Sequence, residues 1–173
     1  MVNRNPPAIS GVSAEAEALI MTVYPSIAAT ALGRLIGSCL ESLPLKIGGV
    51  KLSQLLFFAP AAAIAAPLYG FLKLFGETYV LTNRGVQKRS SLGNRLISQV
   101  PLTSIEDVVV REEPGQAFYP AADIYLMDKS GTGLAVLAGV PRADVFRQTI
   151  VEARDAHKQV AAALKTIKAR QRA

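Results

Sequence analysis

The 173-residue chain has no tryptophan, one cysteine (Cys39) and one histidine (His157). A single thiol excludes an internal disulfide framework and any cysteine-based zinc site. Cys39 has apolar neighbours and reads as a small hydrophobe. His157 has no second histidine or cysteine to pair with, and reads as a packing or surface residue. Charge is also scarce: Asp, Glu, Lys and Arg make up 18% of the chain, against about 25% in an average soluble protein. There is no glycine-rich phosphate loop. The adjacent carboxylates Glu106-Asp107 and Glu112-Glu113 would point to opposite faces of a strand, so neither forms an acid/base pair. Asp123 and Asp128 frame one predicted strand and suit its turns. No catalytic set, cofactor, metal site or nucleic-acid partner is expected.

What is present is a pair of long uncharged stretches. The clearer one runs from Leu52 to Leu72, between Lys51 and Lys73, about the 20 residues a helix needs to cross a bilayer. Pro60 and Pro67 lie inside it and are tolerated in a membrane helix, and its alanines (Ala61 to Ala63, Ala65, Ala66) either form a close-packing face or merely fill space. The other stretch, Ala18 to Leu40, is interrupted by Pro25 and Arg34. It reads as a second span, with a buried or interfacial helix as the rival. Glu15 and Glu17 stand where a signal peptide would carry positive charge, which argues against cleavage. Glu41 to Lys51, with Pro44, Gly48 and Gly49, is short enough to force an antiparallel hairpin. Up to Leu72 the chain has four Lys/Arg and three Asp/Glu; from Lys73 onward it has fifteen and ten. That basic excess predicts a multi-pass membrane protein with both termini cytoplasmic. An apolar half that serves as the ordinary core of a soluble protein is the remaining reading.

From Thr78 the pattern changes to period two. Strands are predicted at Thr78 to Thr82, Gly85 to Ser91, Arg95 to Leu102, Ile105 to Arg111, Ala122 to Met127 and Gly133 to Val140. Asn83-Arg84-Gly85, Leu92-Gly93-Asn94 and Asp128 to Gly131 supply the turns. Pro141 then opens a helix with Asp144 in its first turn. Its apolar stripe is Phe146, Ile150, Ala153, His157, Val160, Leu164 and Ile167. The end of that helix outruns any small barrel.

Tyr79-Val80-Leu81-Thr82-Asn83-Arg84-Gly85, after two apolar segments, resembles the opening of the bacterial pleckstrin-homology-like (PH-like) membrane proteins. The likeness continues in Val100-Pro101-Leu102 with Ile105-Glu106-Asp107-Val108. It recurs in Asp123-Ile124-Tyr125-Leu126 and Leu137-Ala138-Gly139-Val140-Pro141, and upstream in Tyr24-Pro25-Ser26. The resemblance implies an antiparallel barrel or sandwich of about seven strands capped by a C-terminal helix, with no enzymatic activity and no established ligand. Six strands are evident; the seventh is sought in another division of Arg95 to Arg111.

The expected architecture is therefore α+β. Residues 1–17 form an arm, 18–76 a two-helix transmembrane hairpin, 77–155 a PH-like domain, and 156–173 a basic helical extension. With the resemblance, the expected role is a non-enzymatic interaction or assembly platform at the cytoplasmic face of a bacterial inner membrane, in contact with anionic lipid, a protein partner or a second copy. A small subunit of a transport or other membrane complex is the alternative. The candidate contact residues are Arg84, Lys88, Arg89 and Arg95 around the first hairpin. Lys73, Lys165, Lys168, Arg170 and Arg172 are the candidates for the membrane surface.

Overall fold

The computed structural model describes residues 17–42, 46–47 and 50–170. The N-terminal arm up to residue 16, the breakers Pro44, Gly48 and Gly49, and Arg172 lie outside the described residues. So do the side chains of Lys165 and Lys168.

The predicted span Ala18 to Leu40 forms three separate pieces, each with its own cap. Leu19–Val23 is a strand, β1. Pro25 ends it, and the Ser26 hydroxyl accepts from the Ala28 amide to start a 3-10 turn over Ile27–Ala29. Thr30 then accepts from the Gly33 amide and caps helix α1, Ala31–Glu41. Eleven residues make a helix about 16 Å long, roughly half the thickness of a bilayer core. Two-residue strands β2 (Lys46–Ile47) and β3 (Val50–Lys51) pair beyond it. Helix α2, Leu52–Phe75, returns with Pro60 and Pro67 in its interior and packs against α1.

Among the described residues no helix is long and apolar enough to cross a membrane. The expected transmembrane hairpin, and the multi-pass inner-membrane protein built on it, are overturned by that finding. The physical reason in the first segment is the Pro25, Ser26 and Thr30 punctuation. In the second, Ala61 and Ala65 are half-buried and share a cavity wall with Ile36 and Leu40 of α1.

The remaining strands follow the predicted order: β4 (Glu77–Thr82), β5 (Gly85–Ser90), β6 (Leu96–Pro101), β7 (Asp107–Arg111), β8 (Ala121–Met127) and β9 (Gly133–Pro141). They form a four-stranded sheet, β1-β4-β5-β6, and a three-stranded sheet, β7-β8-β9, all antiparallel. The seventh strand is thus β1, paired Thr22 to Val80 and Val23 to Tyr79. Arg95 to Arg111 holds only β6 and β7, with a 3-10 turn at Leu102–Ser104 between them.

One apolar core lies between the sheets, made of Tyr79, Leu81, Val86, Val100, Leu102, Ile124, Leu126, Leu137 and their neighbours. Helix α3, Ala143–Arg170, covers it with the fully buried Phe146 and Ile150, each worth about 1.5–3 kcal/mol of burial. Pro141 ends β9 rather than opening the helix, and Arg142, at φ +51°, turns the chain between them. Further along the stripe Val160 is 57% exposed, so α3 leaves the sandwich after Lys158, which still pairs with Glu106. Where α3 crosses the free edge of β7, Arg147 donates to the Val108 carbonyl and Arg154 to that of Glu106. Those arginines occupy the edge acceptors that another strand would otherwise use.

Four hydrogen bonds meet at Ala138–Gly139 of β9. The Tyr79 hydroxyl donates to the Ala138 carbonyl at 3.2 Å and accepts from its amide at 3.0 Å, linking the two sheets. The Gly139 carbonyl accepts from the Ser26 amide at 2.8 Å, and the Gly139 amide donates to Asp123 Oδ1 at 2.8 Å. Gly139 has φ +60°, and a Cβ there would collide with the Ala29 backbone, so only glycine lets the 3-10 turn lie this close.

Burial pushes the Tyr79 phenol far above its ordinary value. A raised acid binds its proton more tightly folded than unfolded, so its contribution is full below the unfolded pKa of about 10 and is lost as pH rises past it. Tyr79→Phe leaves both Ala138 groups without their partner and is expected to lower unfolding free energy by about 1–3 kcal/mol at pH 7. Urea titrations at pH 7 and at pH values above that pKa check this; the wild-type loss on going alkaline should shrink in the variant.

Candidate functional site

Period two along β4 sends Tyr79 and Leu81 into the core and Thr78, Val80 and Thr82 to the opposite face. That outer face is the floor of a groove of about 690 Å³, flanked by β1 at Thr22, the end of α2 at Lys73, and the β5–β6 turn at Ser91 and Asn94. Arg89 of β5 lines it as well. A chain of hydrogen bonds crosses the groove. Glu17 Oε1 accepts from the Thr82 hydroxyl at 2.8 Å and from Gln87 Nε2 at 2.6 Å. Gln87 Oε1 in turn accepts from Arg89 Nε at 2.8 Å, which fixes the guanidinium before any ligand arrives. The Thr78 and Ser91 hydroxyls lie 3.0 Å apart. Asn83 ties β1 in place, its side chain accepting from the Ala18 amide at 2.9 Å and its own amide donating to the Ala18 carbonyl at 3.0 Å.

The four predicted hairpin cations do not form one cluster. Arg84 sits at the β4–β5 turn and Arg95 just before β6, both exposed, at opposite ends of the six-residue β5. Six residues of strand span about 20 Å. Lys88 and Arg89 are neighbours on β5 and point to opposite faces. Lys88 Nζ lies 5.7 Å from the Tyr79 ring centroid and 3.6 Å from Glu77 Oε2, so it is engaged at the rim of the core. Arg89 instead meets Lys73, predicted for another role, in the groove. Arg170 is exposed near the end of α3.

Sequence reasoning missed the groove hydroxyls and Glu17, which was noted only as a negative flank. The alternating Thr78, Val80 and Thr82, opposite Tyr79 and Leu81, was the available signal. Asp128 does serve its turn: hydrogen bonds from Ser130 and Thr132 hold its carboxyl below the usual range. Asp123, by contrast, is buried, where it accepts from Gln116 and Gly139. Gln116 also accepts from the Glu113 amide at 2.8 Å, so this pair anchors the loop between β7 and β8.

That loop walls a second, apolar cavity of about 530 Å³ between α1 and α2, lined by Ile36, Leu40, Ala61, Ala65, Tyr69, Phe118 and Tyr119, with Ile27 at its base. Phe118 and Tyr119 meet edge to face at 4.9 Å. Burial raises the pKa of Tyr119, whose hydroxyl has no hydrogen-bond partner among the described residues. A smaller cavity of about 370 Å³ lies between the two, lined by Tyr24, Tyr69, Leu72, Lys73 and Ser91 among others. Lys73 Nζ stands 6.0 Å from the Tyr69 ring centroid. No group of three or more His, Cys, Asp or Glu able to hold a metal occurs among the described residues.

Helix α1 reaches the loop backbone to backbone. A Cβ on Gly37 would overlap the Gly115 carbonyl oxygen, and one on Gly115 the Arg34 carbonyl oxygen. Gly37→Val should therefore push α1 off the loop and destabilise the fold by about 1–3 kcal/mol, the usual cost of overpacking. Chemical denaturation measures the loss, with Gly70→Val, where added atoms meet nothing, as the reference for the helix-propensity change alone.

No curated protein matches the chain. The bacterial PH domain family matches residues 28–154, from the 3-10 turn before α1 through β4 to β9 and into the first half of α3, with β1 outside the match. The two-sheet sandwich, the covering helix and that match agree, and the chain belongs to the bacterial PH domain family.

Proposed function

We propose that this bacterial PH domain is a non-catalytic recognition module that takes an anionic headgroup in the groove over β1, β4 and β5. The observation that carries the reading is the meeting of Lys73 and Arg89, from two different elements, in one groove. Arg89 is already oriented by Gln87, and an ordered guanidinium loses little freedom when it binds an oxyanion. The Thr78 and Ser91 hydroxyls add neutral donors beside the two cations. Glu17 partly offsets their charge and keeps the groove selective for ligands that bring hydrogen-bond acceptors as well as charge. An assembly role is favoured by a separate observation: Leu35 of α1 and Phe71, Leu74 and Phe75 of α2 are 57–60% exposed, an apolar surface of the kind that marks contact with a partner.

Co-sedimentation with vesicles tests the headgroup reading. Each cation near an anionic surface contributes about 1 kcal/mol, so Lys73→Gln with Arg89→Gln should weaken retention on phosphatidylglycerol vesicles roughly thirtyfold. Lys88→Gln, on the opposite face, should leave it unchanged. Equal retention on phosphatidylcholine vesicles, or indifference to the double substitution, would refute the proposal.

A further inference from the structure

The apolar cavity behind the groove has a shape that a bare anion does not use. We infer that groove and cavity are one site for a single-chain anionic amphiphile, its head at Lys73 and Arg89 and its chain between α1 and α2. The inference rests on the groove being an anion site, as proposed above.

Three observations carry it. The spaces are neighbours with common walls: the middle cavity shares Lys73 and Ser91 with the groove and Tyr69 with the apolar cavity. Along α2, Ala61, Ala65, Tyr69 and Lys73 follow one another at every fourth residue and so form one slanting row that winds from the apolar cavity to the groove. That stripe passes from small apolar side chains, through an aromatic, to a cation, over about 18 Å of helix, comparable to an extended long acyl chain. The Lys73 ammonium lies against the Tyr69 ring, which places the one positive charge of the stripe at the boundary between the apolar and polar compartments.

The chemistry agrees with the geometry. Each compartment, at about 690 Å³ and about 530 Å³, falls within the roughly 300–1,000 Å³ typical of small-molecule sites. The open cleft walled by Ile36, Leu40, Ala65 and Phe118 presents an apolar lining to water, and an alkyl chain laid along it would remove that surface from solvent. Charge complementarity then selects which ones. An uncharged chain leaves Lys73 and Arg89 unused, and a short anion leaves the cavity empty. A carboxylate or a phosphate monoester on one long chain satisfies both ends.

The test is calorimetric titration of the full chain, below micelle-forming concentration, with octanoate, hexadecanoate, hexadecyl phosphate and hexadecanol. Burial of each methylene improves affinity about fourfold at best, so hexadecanoate is expected to bind at least a hundredfold tighter than octanoate. Hexadecanol should bind more weakly than either long anion, and the two long anions, compared directly, distinguish a carboxylate from a phosphate head. Ala65→Phe, which fills the cavity, should weaken the long anions at least tenfold without altering retention on anionic vesicles. If that variant fails to fold by circular dichroism, Ala62→Phe on the same wall gives the same reading. Equal affinity for octanoate and hexadecanoate, or no effect of filling the cavity, overturns the amphiphile while Arg89-dependent vesicle binding keeps the groove. Loss of that Arg89 dependence overturns the groove reading itself.

Discussion

Two consecutive backbone units, Ala138 and Gly139, hold together most of what surrounds them. Through Tyr79 they join the two sheets, through Ser26 they hold the 3-10 turn that precedes α1, and through Asp123 they hold the loop between β7 and β8. Each bond is ordinary, and a net value of about 1 kcal/mol applies to each. Their importance lies in position. A buried peptide group must find a partner or forfeit its hydration, and here the partners come from three separate stretches of chain. Gly139 makes this possible by accepting a positive φ and an approach by Ala29 that any side chain would block. Leu137, Val140 and the buried ring of Tyr79 exclude water from the same place.

With the 3-10 turn fastened there, the chain order acquires a consequence. Strand β1 pairs with β4, and everything between them is an insert that leaves the sheet and returns to it. The insert brings Lys73 and Tyr69 to the outer face of a sheet that otherwise presents Thr22, Thr78, Val80, Thr82, Gln87 and Arg89. Groove and apolar cavity both arise at this seam. The sandwich supplies hydroxyls and a fixed guanidinium; the helices supply an ammonium and an apolar wall. Neither half carries the site alone, and the sheet itself is irregular here, its register shifting between Leu19 and Met21 of β1 and between Lys88 and Arg89 of β5.

Six strands and the covering helix were readable because short alternating runs and turn residues mark them locally. Strand β1 was not. Its five residues, Leu-Ile-Met-Thr-Val, sit in a longer apolar run whose period decides nothing at that length, and its partner Val80 is far along the chain. Pro25 marks a break in that run, and Ser26 and Thr30, which cap the two short helices, are cap residues whose signal the surrounding apolar run hides. The separation of Lys88 from Arg89 followed from the alternation that already separated Glu106 from Asp107, whereas the meeting of Arg89 with Lys73 depends on where α2 ends and no local pattern carries it. Among the residues that carried the resemblance, Ser26, Tyr79, Asp123, Ala138 and Gly139 converge on one structural junction.

The account stands on residues 19–26 belonging to the same cooperative unit as the sandwich. Amide hydrogen exchange measures this directly, because backbone groups bonded within one unit open together with one free energy. The account predicts that the Ser26 amide and the β1 amides paired to β4 exchange as slowly as those of Leu137 and Val140 in β9. Rapid exchange at Ser26 and along β1, with β8 and β9 still protected, would contradict it.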